Sequence, residues 1–168
     1  MLSALLLVAI TTYPPLARAS VQTPTLKSCS SSEKVMLSDV SIRNAKLNQK
    51  MTVNFSITIN EPLESNPKLQ VTLTKKDGRE VVCLLYIGSC TYNLCGKSNI
   101  VEQTLGESWG HKCPLPATAL QKTVDVPLPS LLGTFIGKLP TTLTVRLNVT
   151  NGGKTVGCQS FKVDIAGA

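Results

Sequence analysis

In the run MTVNFSITIN, residues 51–60, apolar and polar side chains alternate without a break. Successive side chains of a strand point to opposite faces, so Val53, Phe55, Ile57 and Ile59 share one face, and Thr52, Asn54, Ser56, Thr58 and Asn60 share the other. The same period returns in LQVTLT, with Leu69, Val71 and Leu73 on one side. A turn is expected just after it at Asp77-Gly78, a pair that tolerates the positive backbone angles of a tight hairpin. A second hairpin is written further on: Leu143, Val145, Leu147 and Val149 lead into Asn151-Gly152-Gly153, and the chain returns through Phe161, Val163 and Ile165. No stretch of similar length keeps a helical period. Pro114, Pro116, Pro127, Pro129 and Pro140 interrupt the region where one would be sought. The pattern predicts an all-β protein, an immunoglobulin-like sandwich of two sheets with about seven short strands. One domain is expected over residues 20–168, with no repeat or linker.

The N-terminal residues do not belong to that pattern. An apolar run from Leu2 to Ile10 is followed by Ala17-Arg18-Ala19, which reads as a secretory signal peptide over residues 1–19, cleaved after Ala19. No other segment is long and apolar enough to span a bilayer. The chain is basic, with 17 Lys and Arg against 10 Asp and Glu. Its lysines are scattered, from Lys34 through Lys75 and Lys76 to Lys162, and lack the interleaved aromatics that stack bases. Anionic membrane surfaces or glycans are therefore expected as partners, and nucleic acid is not. No cofactor is called for.

Export changes the meaning of the six cysteines. Cys83, Cys90 and Cys95 crowd into one short run, with Cys29, Cys113 and Cys158 elsewhere, and in an oxidising space an even set is expected to form disulfides. Zinc would want close sulfur pairs, usually with histidine; these spacings are uneven and His111 is the single histidine. No metal site is expected.

One motif speaks for catalysis. Gly106-Glu107-Ser108-Trp109-Gly110 matches the G-x-S-x-G elbow of serine hydrolases. That elbow works on a turn between a strand and a helix, with an acid and then a histidine far downstream. Here His111 follows Ser108 by three positions with no acid between, so no triad order is available and no enzyme is expected. The sequons Asn54-Phe55-Ser56 and Asn148-Val149-Thr150 both place asparagine on the polar face of a predicted strand, making Asn54 and Asn148 candidate glycosylation sites.

Several residues together carry a resemblance. The run Tyr86-Ile87-Gly88-Ser89-Cys90-Thr91-Tyr92, with Cys83 before it and Cys95 after, is followed by Cys113-Pro114, by Val126-Pro127-Leu128-Pro129-Ser130-Leu131, and by Gly157-Cys158. In this order they resemble the ML (MD-2-related lipid-recognition) domain family, in particular its ganglioside-activator type. The resemblance implies pairing of Cys29 with Cys158, Cys83 with Cys90, and Cys95 with Cys113. The first pair would close nearly the whole domain, which the loop-entropy model values at about 5 kcal/mol. The resemblance also implies an internal apolar cavity that encloses a lipid's tails. Candidate lining residues are Val53, Phe55, Ile57, Leu69, Val71, Leu73, Leu143, Val145, Leu147, Phe161 and Val163; alternation alone does not separate such a lining from an ordinary core.

The implied function is that of a secreted or lysosomal lipid-binding and transfer protein. It would extract a glycosphingolipid or phospholipid from membranes and carry it, or present it to a hydrolase such as a lysosomal glycosidase. A secreted lipid- or sterol-recognition protein of innate immunity is the alternative on the same fold. The segment LPSLLGTFI, residues 128–136, is bounded by Pro127 and Pro140 and opened by Gly133 and Gly137, so neither strand nor helix is expected to run through it. The resemblance places it at an apolar membrane-contacting loop, in which Leu128, Leu131, Leu132, Phe135 and Ile136, with Lys138 beside them, would meet the bilayer. The competing reading is a loop folded back onto the core.

Overall fold

The structure is a computed structural model that describes residues 20–168. The expected signal peptide, residues 1–19, lies outside the described residues. Nine strands form two antiparallel sheets, and two short helices sit beside them. The first sheet has the order β1-β3-β4-β7, built from β1 (Val21–Gln22), β3 (Val35–Arg43), β4 (Gln49–Ile59) and β7 (Thr118–Leu128). The second runs β2-β9-β8-β5-β6, from β2 (Lys27–Glu33), β9 (Lys154–Ile165), β8 (Thr141–Asn151), β5 (Lys68–Thr74) and β6 (Thr91–Asn93). The all-β sandwich predicted from alternation is the fold.

Both predicted hairpin turns are present. Gly152 and Gly153 take φ of 59° and 77° between β8 and β9, and Gly78 takes 83° after β5, where the Lys75 amide donates to the Arg79 carbonyl at 2.9 Å. The chain returning from the first turn does not form the continuous second strand that a hairpin implies. It makes single bridges at Glu80 and Val82, then forms the Cys83–Cys90 loop, and β6 closes that edge instead. Two helices were also missed, α1 (Ile100–Gly106) and α2 (Ser130–Ile136), each of seven residues and too short to show a period above background.

The two edges of the sandwich differ. On one side β3 and β9 are drawn together. Gly157 approaches so closely that a Cβ there would stand 2.1 Å from the Val35 carbonyl oxygen. The Gln159 side-chain amide spans the sheets, its Nε2 donating to the Leu37 carbonyl at 2.8 Å and its Oε1 accepting from the Leu37 amide. On the other side the edge strand β7 is not paired with the β5–β6 edge; the Cys83–Cys90 loop and α1 stand there. The apolar interior divides accordingly. One cluster, with Ile59, Leu63, Leu94, Leu115, Val149 and Val156, is closely packed. The other holds Val40, Ile42, Leu128, Leu132, Leu143, Phe161 and Ile165, and surrounds open space.

Three disulfides hold this arrangement: Cys29–Cys158, Cys83–Cys90 and Cys95–Cys113, the pairs that the resemblance implies.

Candidate functional site

Between the sheets, on the unpaired side, lies an apolar cavity of about 280 Å³. Val53 and Phe55 of β4, Val71 and Leu73 of β5, Leu143, Val145 and Leu147 of β8, and Phe161 and Val163 of β9 all line it. Burial along β4 fits a cavity: the inward side chains that line it, Met51, Val53 and Phe55, are only half-buried, whereas Ile59 is fully buried where packing closes. Ile57 and Leu69 do not reach the cavity. They lie beyond its closed end, packed against the second cluster.

Sequence reasoning also missed part of the lining. Leu37, Val40 and Ile42 of β3 belong to it, but a bulge between Ser38 and Ser41, with Asp39 at φ 52°, breaks the alternation that would have shown them. Val124 and Val126 of β7 stand at alternate apolar positions, in a region where sequence reasoning noted only prolines that interrupt a helix. Pro127 is tolerated because β7 is a sheet edge.

The mouth is built from residues with no periodicity at all. Between Cys83 and Cys90 the chain makes a two-residue hairpin in which the Leu84 amide donates to the Ile87 carbonyl at 2.7 Å and the Ile87 amide returns to Leu84 at 2.9 Å. Its tip residues, Leu85 and Tyr86, have φ of 48° and 65°. A primed turn suits a hairpin's twist but normally uses Asn and Gly there; side-chain-bearing residues cost about 1–2 kcal/mol each in this region. The surroundings impose the conformation. The disulfide clamps both ends, the Tyr92 hydroxyl donates to the Tyr86 carbonyl at 2.6 Å, and Gly88, at φ 111°, lies so near Val82 that a Cβ would stand 2.1 Å from its carbonyl oxygen. Burial pushes the Tyr92 phenol up to about 12, so it remains a donor at every physiological pH. The strained tip displays apolar surface: Leu85 is 75% and Tyr86 50% exposed, and both line the cavity entrance.

The opposite lip is α1, which brings Ile100, 67% exposed, and Val101 to the same entrance. Asn99 caps the helix, its Oδ1 accepting from the Glu102 amide at 3.0 Å. The buried Glu102 carboxylate ties the helix to the segment before it, accepting from the backbone amides of Asn93 and Ser98, each at 2.9 Å. Burial opposes its ionisation, but those N–H groups outweigh the desolvation and hold the carboxyl below its ordinary range.

The G-x-S-x-G stretch ends α1 and continues through a 3-10 turn, Glu107–Trp109. Ser108 is exposed, Trp109 Nε1 donates to the Leu94 carbonyl at 2.7 Å, and His111 Nδ1 lies 3.3 Å from the Gly96 carbonyl oxygen. These contacts are those of a packed turn.

The expectation for residues 128–136 requires correction. Leu128 ends β7, and Ser130–Ile136 is a helix, α2, not a loop. Leu128, Leu132 and Ile136 are buried in the first cluster, Phe135 packs against it, and Leu128 and Leu132 line the inner wall of the cavity. Spacing of four between Leu132 and Ile136 puts both on one helix face. Gly133 then allows close docking, since a Cβ there would be 2.8 Å from Leu47 Cδ1. Of the six candidate contact residues, only Leu131, 50% exposed, and Lys138 face solvent. The apolar length of this segment reflects core packing.

Asn54 and Asn148 sit in mid-strand. Asn54 Oδ1 accepts from Thr123 Oγ1 at 2.7 Å; Asn148 Nδ2 donates to Gln70 Oε1 at 3.4 Å, and its Oδ1 is buried with no protein partner.

The family model described as ML domain matches residues 24–165, nearly all of the sandwich. The chain belongs to the ML domain family. ML domain proteins are generally non-catalytic lipid-binding proteins. No curated protein sequence matches the chain. Among solved structures, a Niemann-Pick type C2 protein from Japanese carpenter ant is similar at 14% identity, covering 84% of this chain and 98% of that one, with a TM-score of 0.49. The C-terminal domain of Wzt is similar at 6% identity, covering 86% of this chain and 78% of that one, with a TM-score of 0.45. Among the described residues of this ML domain, no helix is long and apolar enough to cross a membrane.

Proposed function

We propose that this ML domain protein is an exported lipid carrier that takes an acyl chain from a membrane into the space between its sheets. The observation that carries this reading is a cavity of about 280 Å³ whose entrance is ringed by exposed Leu85, Tyr86 and Ile100. Transfer energetics support an enclosed site. Leaving a chain of ~18 carbons in water costs on the order of 14 kcal/mol, at about 0.8 kcal/mol per methylene, which a groove on the surface would recover only in part. Three disulfides support an oxidising compartment, extracellular or lysosomal.

Docking is assigned to the entrance and not to residues 128–136. Leu85 and Tyr86 project from a clamped turn and Ile100 from the facing helix, so a bilayer touching them also touches the open edge. The cargo on this reading is a glycosphingolipid or phospholipid, released to another membrane or presented to a hydrolase. The test is transfer of fluorescent lipid between donor and acceptor vesicles. Protein-dependent transfer, in proportion to protein concentration, supports the reading; no transfer of glycolipid, phospholipid or fatty acid overturns it.

A further inference from the structure

Lys122 is the only basic residue of β7, and it stands on the strand's cavity side. The alternation there runs Leu120, Lys122, Val124, Val126 and Leu128 inward, half-buried or buried, with Gln121, Thr123 and Asp125 exposed between them. Across the ladder Lys122 is directly opposite Phe55; Phe55 and Val124 both line the cavity. The Nζ reaches over the open edge to the Thr104 carbonyl of α1 at 3.3 Å. Val101, one turn earlier on that helix, is part of the entrance. Lys122 therefore ties the β7 edge to the α1 lip beside the mouth.

No acid answers it. The ion pairs among the described residues are Lys34–Glu61, Lys50–Asp125 and Arg79–Asp77, and Lys122 joins none of them. Asp125, the acid of β7, touches the cavity but is already bound to Lys50 at 3.0 Å and to Thr52 Oγ1 at 2.8 Å. Glu102 of α1 is taken up by Asn93 and Ser98. An inward charge on an edge strand discourages strand addition, and a cation suits the last carbonyls of a helix. Those roles account for a lysine at the edge. They leave an ammonium with three donors and one neutral acceptor beside the cavity, next to the lining residues Phe55 and Val124 but not itself part of the lining.

We propose that Lys122 pairs with the head of the cavity's ligand, and that the ligand is an amphiphile whose head is an anionic carboxylate or phosphate. The tail lies among Phe55, Val124 and the sheet interior while the head meets Nζ at the rim. This rests on the lipid-carrier reading and adds the charge of the cargo to it.

The test is isothermal titration of wild type, Lys122→Met and Lys122→Arg with myristate, myristyl phosphate and myristyl alcohol, and separately with inorganic phosphate. Melting temperatures establish that each variant folds. Wild type is expected to bind myristate and myristyl phosphate about tenfold or more tighter than the alcohol, the size of one charge-assisted contact. Lys122→Met should erase that preference without changing the alcohol's affinity, Lys122→Arg should keep it, and inorganic phosphate should not bind. Equal affinity for acid and alcohol in wild type, or a preference that survives Lys122→Met, overturns the assignment, while binding of the alcohol leaves the cavity reading standing. Inorganic phosphate that binds as tightly as myristyl phosphate replaces a lipid head by a free anion and also overturns it. If none of the three amphiphiles binds, both readings fall.

Discussion

Enlarging a side chain should have opposite effects at the two ends of this sandwich. Val71 faces the cavity and is half-buried; Val156 is 7% exposed and packed in the second cluster with Leu63 and Leu115. Replacing valine by phenylalanine adds four carbon atoms. At Val156 there is no room for them, and overpacking of this kind costs about 1–3 kcal/mol. For a chain of this length that lowers the melting temperature by roughly 2–4 °C per kcal/mol. At Val71 the added ring enters the cavity's roughly 280 Å³ of space. Burying it is worth up to about 3 kcal/mol at about 0.8 kcal/mol per methylene-sized group, less what the ring loses in rotamer freedom. Val71→Phe should therefore melt at or a few degrees above wild type, Val156→Phe several degrees below. Only Val71→Phe should lose lipid, because it fills the space the tail needs. Calorimetry and a lipid-displacement assay on the three proteins decide it. A Val71→Phe protein as unstable as Val156→Phe, or one that binds lipid as wild type does, would refute the claim that this space is open.

Four further outcomes are expected. Changing Leu85, Tyr86 and Ile100 together to serine should slow extraction from vesicles at least tenfold and leave binding of detergent-dispersed lipid intact; Leu132→Ser should instead destabilise the fold by about 2–4 kcal/mol, since it is a core residue. Glu102→Gln should cost about 1–3 kcal/mol at neutral pH. Because the folded carboxyl titrates below its ordinary value, its stabilisation is full above the ordinary carboxylate range and is lost as pH falls through the depressed value, so the gap between the two urea midpoints should narrow towards strongly acidic pH. Glycosidase treatment of protein from a glycosylating host should lower its mass if Asn54 or Asn148 carries a glycan, and an unchanged mass would remove both sites.

Four strands, β4, β5, β8 and β9, were legible because each keeps an unbroken alternation with one apolar face. What failed to show did so for identifiable reasons. β2, KSCSSSE, is a polar edge strand with almost no apolar positions, so its place is set by pairing with β9 and by the Cys29–Cys158 bond and not by pattern. In 128–136 the apolar run was visible but its direction was not: Leu132 and Ile136 face inward only because Gly133 lets α2 approach Leu47, a contact distant in sequence. The entrance was the least legible part. Leu85 and Tyr86 occupy a turn that local preference assigns to other residues, and the disulfide, Tyr92 and Gly88 hold them there. Such a conflict between local preference and tertiary placement is typical of functional sites.

The central claim is that the space between the sheets holds an amphiphile's tail. Native mass spectrometry of protein purified from an oxidising host, followed by organic extraction and identification of what is released, tests it most directly. A one-to-one complex with an acyl-chain lipid is expected, retained by wild type and missing from Val71→Phe. Protein that is always empty, and stays empty after incubation with mixed glycolipid, phospholipid and fatty-acid vesicles, would contradict it.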